Sequence, residues 1–271
     1  MSALLKAEKL TRDFESGGFL SLGGRRRLRA VDDVSLALSA GETLGVVGES
    51  GSGKSTLARL LTALIAPSSG TLRFEGEELS ASGRPAPRVR RSLQLVFQHP
   101  HAALNPRKTV EASLSGPLRA LVPGSAGEHR ARVERALDDV GLEPAIARRY
   151  PHELSGGQAQ RVGIARALVV EPRVVVFDEA VASLDATTQS EIVELLRALQ
   201  QKLGLAYVFV SHDLLLVAEL STRVLVMHRG RVVEEGDSRI LVDAPTHSYT
   251  RELVASVPRF RASGRESPPP S

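Results

Sequence analysis

The stretch GESGSGKST, residues 48–56, constrains the fold more than any other part of this chain. It follows the apolar run TLGVV (43–47) and precedes KSTLARLLTALI (54–65), whose leucines recur at helical spacing. Gly48, Gly53, Lys54 and Ser55 fit G-x-x-x-x-G-K-[ST], set between a strand and a helix as a phosphate-binding loop requires. Glycines let backbone N–H groups close around a phosphate, and the helix N-terminus adds favourable potential. The lysine neutralises phosphate charge and the serine hydroxyl can hold Mg2+. The whole cradle, Gly48, Glu49, Ser50, Gly51, Ser52, Gly53, Lys54, Ser55 and Thr56, is therefore a candidate phosphate site.

Such a loop needs a buried sheet behind it. β-Branched runs at 43–48, 93–97 (LQLVF), 173–178 (RVVVFD) and 206–211 (AYVFVS) read as buried strands, with helical patterns between them. The helical segment 188–204 ends at a capping Gly204. This alternation predicts an α/β fold with a mainly parallel sheet covered by helices on both faces. The 271 residues, 42% of them hydrophobic, suffice for one large domain or two small ones. Residues 99–166 show only helical and turn patterns and are read as a helical subdomain inserted into a core of 1–98 and 167–257. AVDDVSLALSAGE (30–42) alternates like the edge strand of an N-terminal antiparallel sheet. The tail 258–271, ending GRESPPPS, is expected to be disordered.

Charge is nearly balanced, 35 basic against 31 acidic residues. The basic runs GRRRLR (24–29) and RVRR (88–91) carry no interleaved aromatics and read as solvated faces, so no nucleic acid is expected as a partner. There is no cysteine, which excludes disulfides, thiolate zinc sites and cysteine-held iron–sulfur clusters. The first residues, MSALLKAEKLTRDFE, lack the apolar core of a signal peptide, and no apolar run reaches the roughly 18 residues of a membrane span. A chain soluble by itself is expected, with any membrane role supplied through a partner.

Three further strand ends point toward the same crevice. Asp178 and Glu179 end the buried run VVVFDE, where an open α/β sheet presents its ligand groups. Asp178 is placed for the Mg2+ shell, Glu179 to orient or deprotonate an attacking water. Gln98, after LQLVF, could sense metal and water, and His212, after AYVFVS, could donate to a γ-phosphate. Either one alone reads equally well as a satisfied structural polar group.

A second glycine cluster, Ser155, Gly156, Gly157 and Gln158, opens another helical pattern, with Ser155 as its N-cap. No lysine follows, so it would hold phosphate poorly by itself. The economical reading is that it completes a site on a second molecule.

The phosphate loop, LSGGQ (154–158), VVVFDE, SLD (183–185) and SHD (211–213), in that order along the chain, resemble the ATP-binding subunits of ABC transporters over roughly residues 4–257. The resemblance implies a P-loop NTPase fold and a head-to-tail dimer of ATPase subunits. Two ATP molecules would then lie between one subunit's loop and the other's Ser155–Gln158 segment, with Asp185 at the seam. It also implies that Phe14 stacks on adenine, although an ordinary core role for this phenylalanine stays open. The loop around Gln98 would grip a membrane subunit. FQHPHAALNPRKTV (97–110) and APTHSYTRELVASVP (244–258) are similar to segments of ATPases that import dipeptides, oligopeptides and nickel. The implied assembly is a pair of membrane-spanning permease subunits, a second, non-identical ATPase and a solute-binding protein, on the cytoplasmic face of the bacterial inner membrane. The chain lacks the C-terminal cysteine cluster of some peptide-import ATPases, which favours the partner ATPase type without one, and it departs further in His99, where an acidic residue is common, and in Ala159, where a basic or polar residue is usual. The alternative is an ABC ATPase that acts on nucleic acid or ribosomes. The lack of sustained heptads and the single phosphate loop count against it.

Overall fold

The structure, a computed structural model, describes residues 3–16, 26–79, 85–98, 100–182 and 184–256. The tail expected to be disordered (258–271), Gly24 and Arg25 of the first basic run, His99 and Ser183 lie outside the described residues. In chain order the strands are β1 (Leu5–Ser16), β2 (Arg26–Leu38), β3 (Thr43–Val47), β4 (Ser69–Phe74), β5 (Glu77–Glu78), β6 (Leu93–Val96), β7 (Val174–Asp178), β8 (Ala206–Ser211), β9 (Arg223–His228) and β10 (Arg231–Asp237). The helices are α1 (Lys54–Leu61), α2 (Pro87–Ser92), α3 (Pro100–Ala103), α4 (Val110–Leu121), α5 (Ala126–Asp139), α6 (Gly156–Leu168), α7 (Ala186–Leu203), α8 (Leu214–Leu220), α9 (Ser238–Asp243) and α10 (Ser248–Ser256).

Two sheets form. The larger runs β10-β9-β3-β8-β7-β6 and is parallel except for the β9–β10 pair; the smaller, β2-β1-β4-β5, is antiparallel with β2 at its edge. The runs without a polar face are strands covered on both sides, because alternate residues leave opposite faces of the sheet. Val175, Phe177, Tyr207 and Phe209 enter one core, with residues of α4, α5, α6 and α7. Val174, Val176, Val208 and Val210 enter another, with β1, β2, β4 and α1. The Phe177 ring meets Tyr207 edge-on at 5.1 Å, and each such buried side chain contributes about 1.5–3 kcal/mol.

Between β6 and β7 the described residues hold helices and two 3-10 turns, Pro144–Arg148 and Pro151–Glu153, and no strand. Helix α6 is continuous to Leu168, so it runs through the boundary expected at residue 166. The helix expected over 54–65 stops at Leu61: the Thr62 hydroxyl donates to the Ala58 carbonyl at 2.9 Å, and Ala63 turns the chain at φ 52°. Helix α7 ends as its sequence dictates, on Gly204 in the left-handed conformation. Because β3, β8, β7 and β6 are parallel neighbours, their C-terminal ends open along one edge of the sheet, where a ligand crevice forms in this fold class.

Candidate active site

The chain leaves β3 into the loop 48–56, which is wedged between other parts of the backbone. A β-carbon on Gly48 would stand 2.2 Å from the Met227 carbonyl oxygen, and one on Gly53 2.2 Å from that of Ala30, so both positions exclude a side chain. Gly53, at φ 105°, also lies where L-residues are strained. The Gly230 N–H donates to the Ser52 carbonyl at 2.9 Å, which ties the loop to the β9–β10 turn. Gly53 caps α1 without a side-chain bond, and the Leu57 N–H is the donor to the Gly53 carbonyl. The N–H groups of Lys54, Ser55 and Thr56 thus precede the helical ladder and face the loop's concavity.

Lys54 is only 4% exposed, and its ammonium donates to the carbonyls of Gly48 (2.6 Å) and Glu49 (2.8 Å). Burial pushes its pKa down, against the opposing pull of Glu179, Asp178 and Glu49. The Ser55 hydroxyl donates to Asp178 Oδ1 at 2.8 Å, which joins the loop to the end of β7. Burial raises the Asp178 pKa, the Ser55 bond lowers it and the charge on Glu179 raises it again. The pair presents a hydroxyl and a carboxylate side by side, the hard oxygen donors that Mg2+ prefers, so these residues fit a magnesium ion.

Glu179 collects the two remaining strand ends. Gln98 donates from its amide nitrogen to Glu179 Oε2 at 3.0 Å, and His212 Nδ1 lies 3.5 Å from the same oxygen. Glu179 sits at φ 52°, an unusual conformation for a residue with a side chain, and its N–H donates to the Val210 carbonyl at 2.9 Å. Left-handed backbone of this kind costs on the order of 1 kcal/mol and clusters at functional positions. Sequence reasoning aimed Gln98, Asp178, Glu179 and His212 at one crevice, and the structure brings them together.

The other residues singled out bond elsewhere. Ser155 and Gln158 close a capping box: the Ser155 hydroxyl accepts from the Gln158 N–H at 3.2 Å, and Gln158 Oε1 accepts from the Ser155 N–H at 3.1 Å. Ser155 and Gly156 are exposed, and Gly157 abuts Thr188, whose methyl would lie 2.9 Å from an added β-carbon. Asp185 caps α7, accepting from the Thr188 N–H (3.0 Å) and hydroxyl (2.7 Å), and these bonds hold its carboxyl below the usual range. Ala159, unusual by its sequence, is fully buried. Phe14 lies exposed on β1 with the Arg12 guanidinium 4.8 Å over its ring.

One residue escaped the sequence. The Tyr249 hydroxyl on α10 accepts from the Glu49 N–H at 2.9 Å, a bond spanning 200 residues of chain. The segment around it reads as only a proline turn and a helix, and nothing in that pattern signals the contact.

Residues 31–182, more than half of the chain, match the family described as ABC transporter. The chain belongs to the ABC transporter family. This ABC-type ATPase is 44% identical to the di/tripeptide transport ATP-binding protein of Pseudomonas aeruginosa, over 95% of the chain and 80% of that protein. It is also 44% identical to the oligopeptide transport ATP-binding protein of Bacillus subtilis, over 88% of the chain and 73% of that protein. Among solved structures, it resembles CbiO1 of Clostridium perfringens, part of the ABC transporter complex CbiONQ, with TM-score 0.75 and 31% identity over 90% of this chain and 93% of that one. A dimeric, post-hydrolysis ATP-binding cassette with ADP and Pi gives TM-score 0.73 and 29% identity over 87% of the ABC ATPase and 99% of that chain. The fold is that of the P-loop NTPases, and the ligand class is the adenine nucleotide.

Proposed function

We propose that this ATPase powers a bacterial importer of peptides, docked on the cytoplasmic face of the inner membrane against two permease subunits. A solute-binding protein would deliver cargo to it. The observation that carries the catalytic part is the meeting of Gln98 and His212 on one oxygen of Glu179, beside the Ser55–Asp178 pair. The peptide cargo rests on the relatives' names; nickel or a metal chelate rests only on sequence resemblance.

In this reading Gly48–Thr56 wraps the phosphates and Lys54 turns from its carbonyl partners to the β- and γ-phosphates of ATP. Ser55, Asp178 and the Gln98 amide oxygen would hold Mg2+, which when bound would neutralise phosphate charge. Glu179 orients and deprotonates the attacking water, His212 donates to the γ-phosphate, and Phe14 stacks on adenine. Ser155, Gly156, Gly157 and Gln158 face the γ-phosphate held by a second ATPase subunit, expected to be non-identical, with Asp185 at the seam. The dimeric cassette that this chain resembles supports that arrangement.

No described helix is long and apolar enough to cross a membrane, so the reading requires a docking surface. A cavity of about 920 Å3 between the sheet core and the inserted helices suits this role. It is lined by Leu64, Phe97 and Pro117 and by the cationic Arg90, Lys108 and Arg166, and among the described residues no acidic one lines it. Residues 99–166 thus serve as the inserted subdomain that grips a membrane subunit. Reconstitution with the co-encoded permeases in proteoliposomes tests the reading: ATP-driven peptide uptake and permease-stimulated hydrolysis are expected. Stimulation by DNA or ribosomes instead would overturn it.

A further inference from the structure

We propose that Tyr249 is a positioning residue for nucleotide binding: its phenol oxygen braces the Glu49 peptide, so that helix α10 sets how tightly ATP is held. The inference rests on the reading that Gly48–Thr56 carries the phosphates.

Glu49 is the hinge of the loop. Its carbonyl accepts from Lys54 Nζ (2.8 Å) and from the Ser52 N–H (3.1 Å), while its own N–H donates outward to Tyr249 (2.9 Å). The turn Glu49–Ser52 is therefore held from outside at both ends, by Tyr249 at one and by the Gly230 N–H on the Ser52 carbonyl at the other. When Lys54 turns to a phosphate, the Glu49 carbonyl loses its ammonium partner. The Gly48 carbonyl loses the same partner, and the Tyr249 bond to the Glu49 N–H then remains as the outer restraint on the Gly48–Glu49 peptide.

Tyr249 is well fixed for such a role. It is 6% exposed, its ring lies 4.0 Å from that of His228, and its N–H donates to His247 Nδ1 at 3.2 Å. The turn before it is anchored on β10: Glu234 accepts from the Thr246 N–H (2.7 Å), the Thr246 hydroxyl (2.7 Å) and the His247 N–H (3.1 Å). Arg251 Nη1 adds a bond to the Thr246 carbonyl at 2.7 Å. Burial works to raise the Glu234 pKa, but donors on residues 246–250 outweigh it and bring the carboxyl to about 2, so it stays an ionised acceptor throughout the physiological range. A chain of bonds thus runs from β10 through residues 246–249 to the phosphate loop. A loop ordered before the ligand arrives binds more tightly than one that must be ordered by it.

The test is Tyr249→Phe in the full-length chain, which keeps the ring and its contact with His228 and deletes only the oxygen. The dissociation constants for ATP and ADP should rise about 5-fold, the equivalent of about 1 kcal/mol for one net hydrogen bond. KM for ATP should rise with them, while kcat at saturating ATP stays within about twofold of the parent. Glu234→Gln, at the far end of the chain of bonds, should raise KM in the same direction by less, and it serves as the reading should Tyr249→Phe fail to fold. A fall in kcat with KM unchanged overturns the inference. Lys54→Ala separates the two levels. If Lys54→Ala abolishes nucleotide binding and Tyr249→Phe leaves it unchanged, the brace is wrong and the site stands; if Lys54→Ala binds normally, the site reading itself falls.

Discussion

Of the glycine-bearing turns that lead into helices, those at 48–54 and 155–157 are built in different ways. In the first, Gly48 and Gly53 press against carbonyls of Met227 and Ala30, and Ser52 and Glu49 are tied to β9–β10 and α10. In the second, Ser155 and Gln158 satisfy each other, Gly156 has nothing within 4 Å of its missing β-carbon, and both Ser155 and Gly156 are exposed. A glycine enforced by its own neighbours marks a surface that is finished inside the fold. Gly157 is tight against Thr188 and Gly51 of the first turn is open, so the contrast rests on Gly156: open, on a turn whose polar atoms are already paired, it leaves the face that the proposed second subunit would cover.

The largest effect should come from freezing the reaction so that both turns are caught on one nucleotide. Glu179→Gln is expected to lower hydrolysis by about 10³-fold while ATP binding persists, since it removes the group proposed to activate water. An ATP-dependent dimer should then accumulate on a sizing column; unimpaired hydrolysis would remove Glu179 from its role.

Next come substitutions that set the two turns against each other. Gly53→Ala should destabilise the chain by about 2–3 kcal/mol and abolish nucleotide binding, since the backbone at φ 105° and the Ala30 carbonyl both reject it. Gly156→Ala should leave the melting temperature within about 2 °C of the parent. Ser155→Ala should cost about 1 kcal/mol of helix capping, spare ATP binding by the monomer and lower hydrolysis about 10²-fold. If monomer binding fell with Ser155→Ala, the contrast between the turns would collapse.

The smallest expected effect concerns Asp178, which is 7% exposed and whose pKa burial lifts above its ordinary value. A carboxyl raised by folding costs stability as the pH climbs above its unfolded pKa, in full above its folded pKa, and the cost vanishes in acid. Asp178→Asn keeps the shape and an acceptor for Ser55. It should therefore raise the melting temperature of the nucleotide-free protein at pH 7.5. The gain should shrink as the pH falls toward the carboxyl's own titration. The same variant should weaken Mg2+-dependent ATP binding.

The legible parts of the molecule are those whose signals are local. β3, β6, β7 and β8 are short β-branched runs, and their last residues announce the crevice because a parallel sheet aligns its C-terminal ends. β1 was hidden by its irregularity: register shifts between Ala7 and Leu10 and between Leu10 and Arg12, with Lys9 at φ 50°, break the alternation that a strand should show. The β9–β10 hairpin was hidden by its turn. Arg229 (φ 47°) and Gly230 (φ 82°) form a two-residue turn without the Asn-Gly or Asp-Gly that usually betrays one. In the site, Gln98, Asp178, Glu179 and His212 could be found from strand ends, whereas Tyr249 reaches Glu49 across 200 residues and leaves no periodic trace.

The wedging of the phosphate loop also bears on how the protein is made. Residues 48–56 emerge early in synthesis, but the carbonyl that blocks Gly48 belongs to Met227, and the bonds that steady Ser52 and Glu49 come from Gly230 and Tyr249. A nascent chain still short of residue 249 has the lysine and glycines but not all the walls around them, so full affinity for nucleotide should appear only once residues 227–249 have been made and folded. Nucleotide capture would then double as a sign that residues 227–249 have closed around a loop made about 180 residues before them.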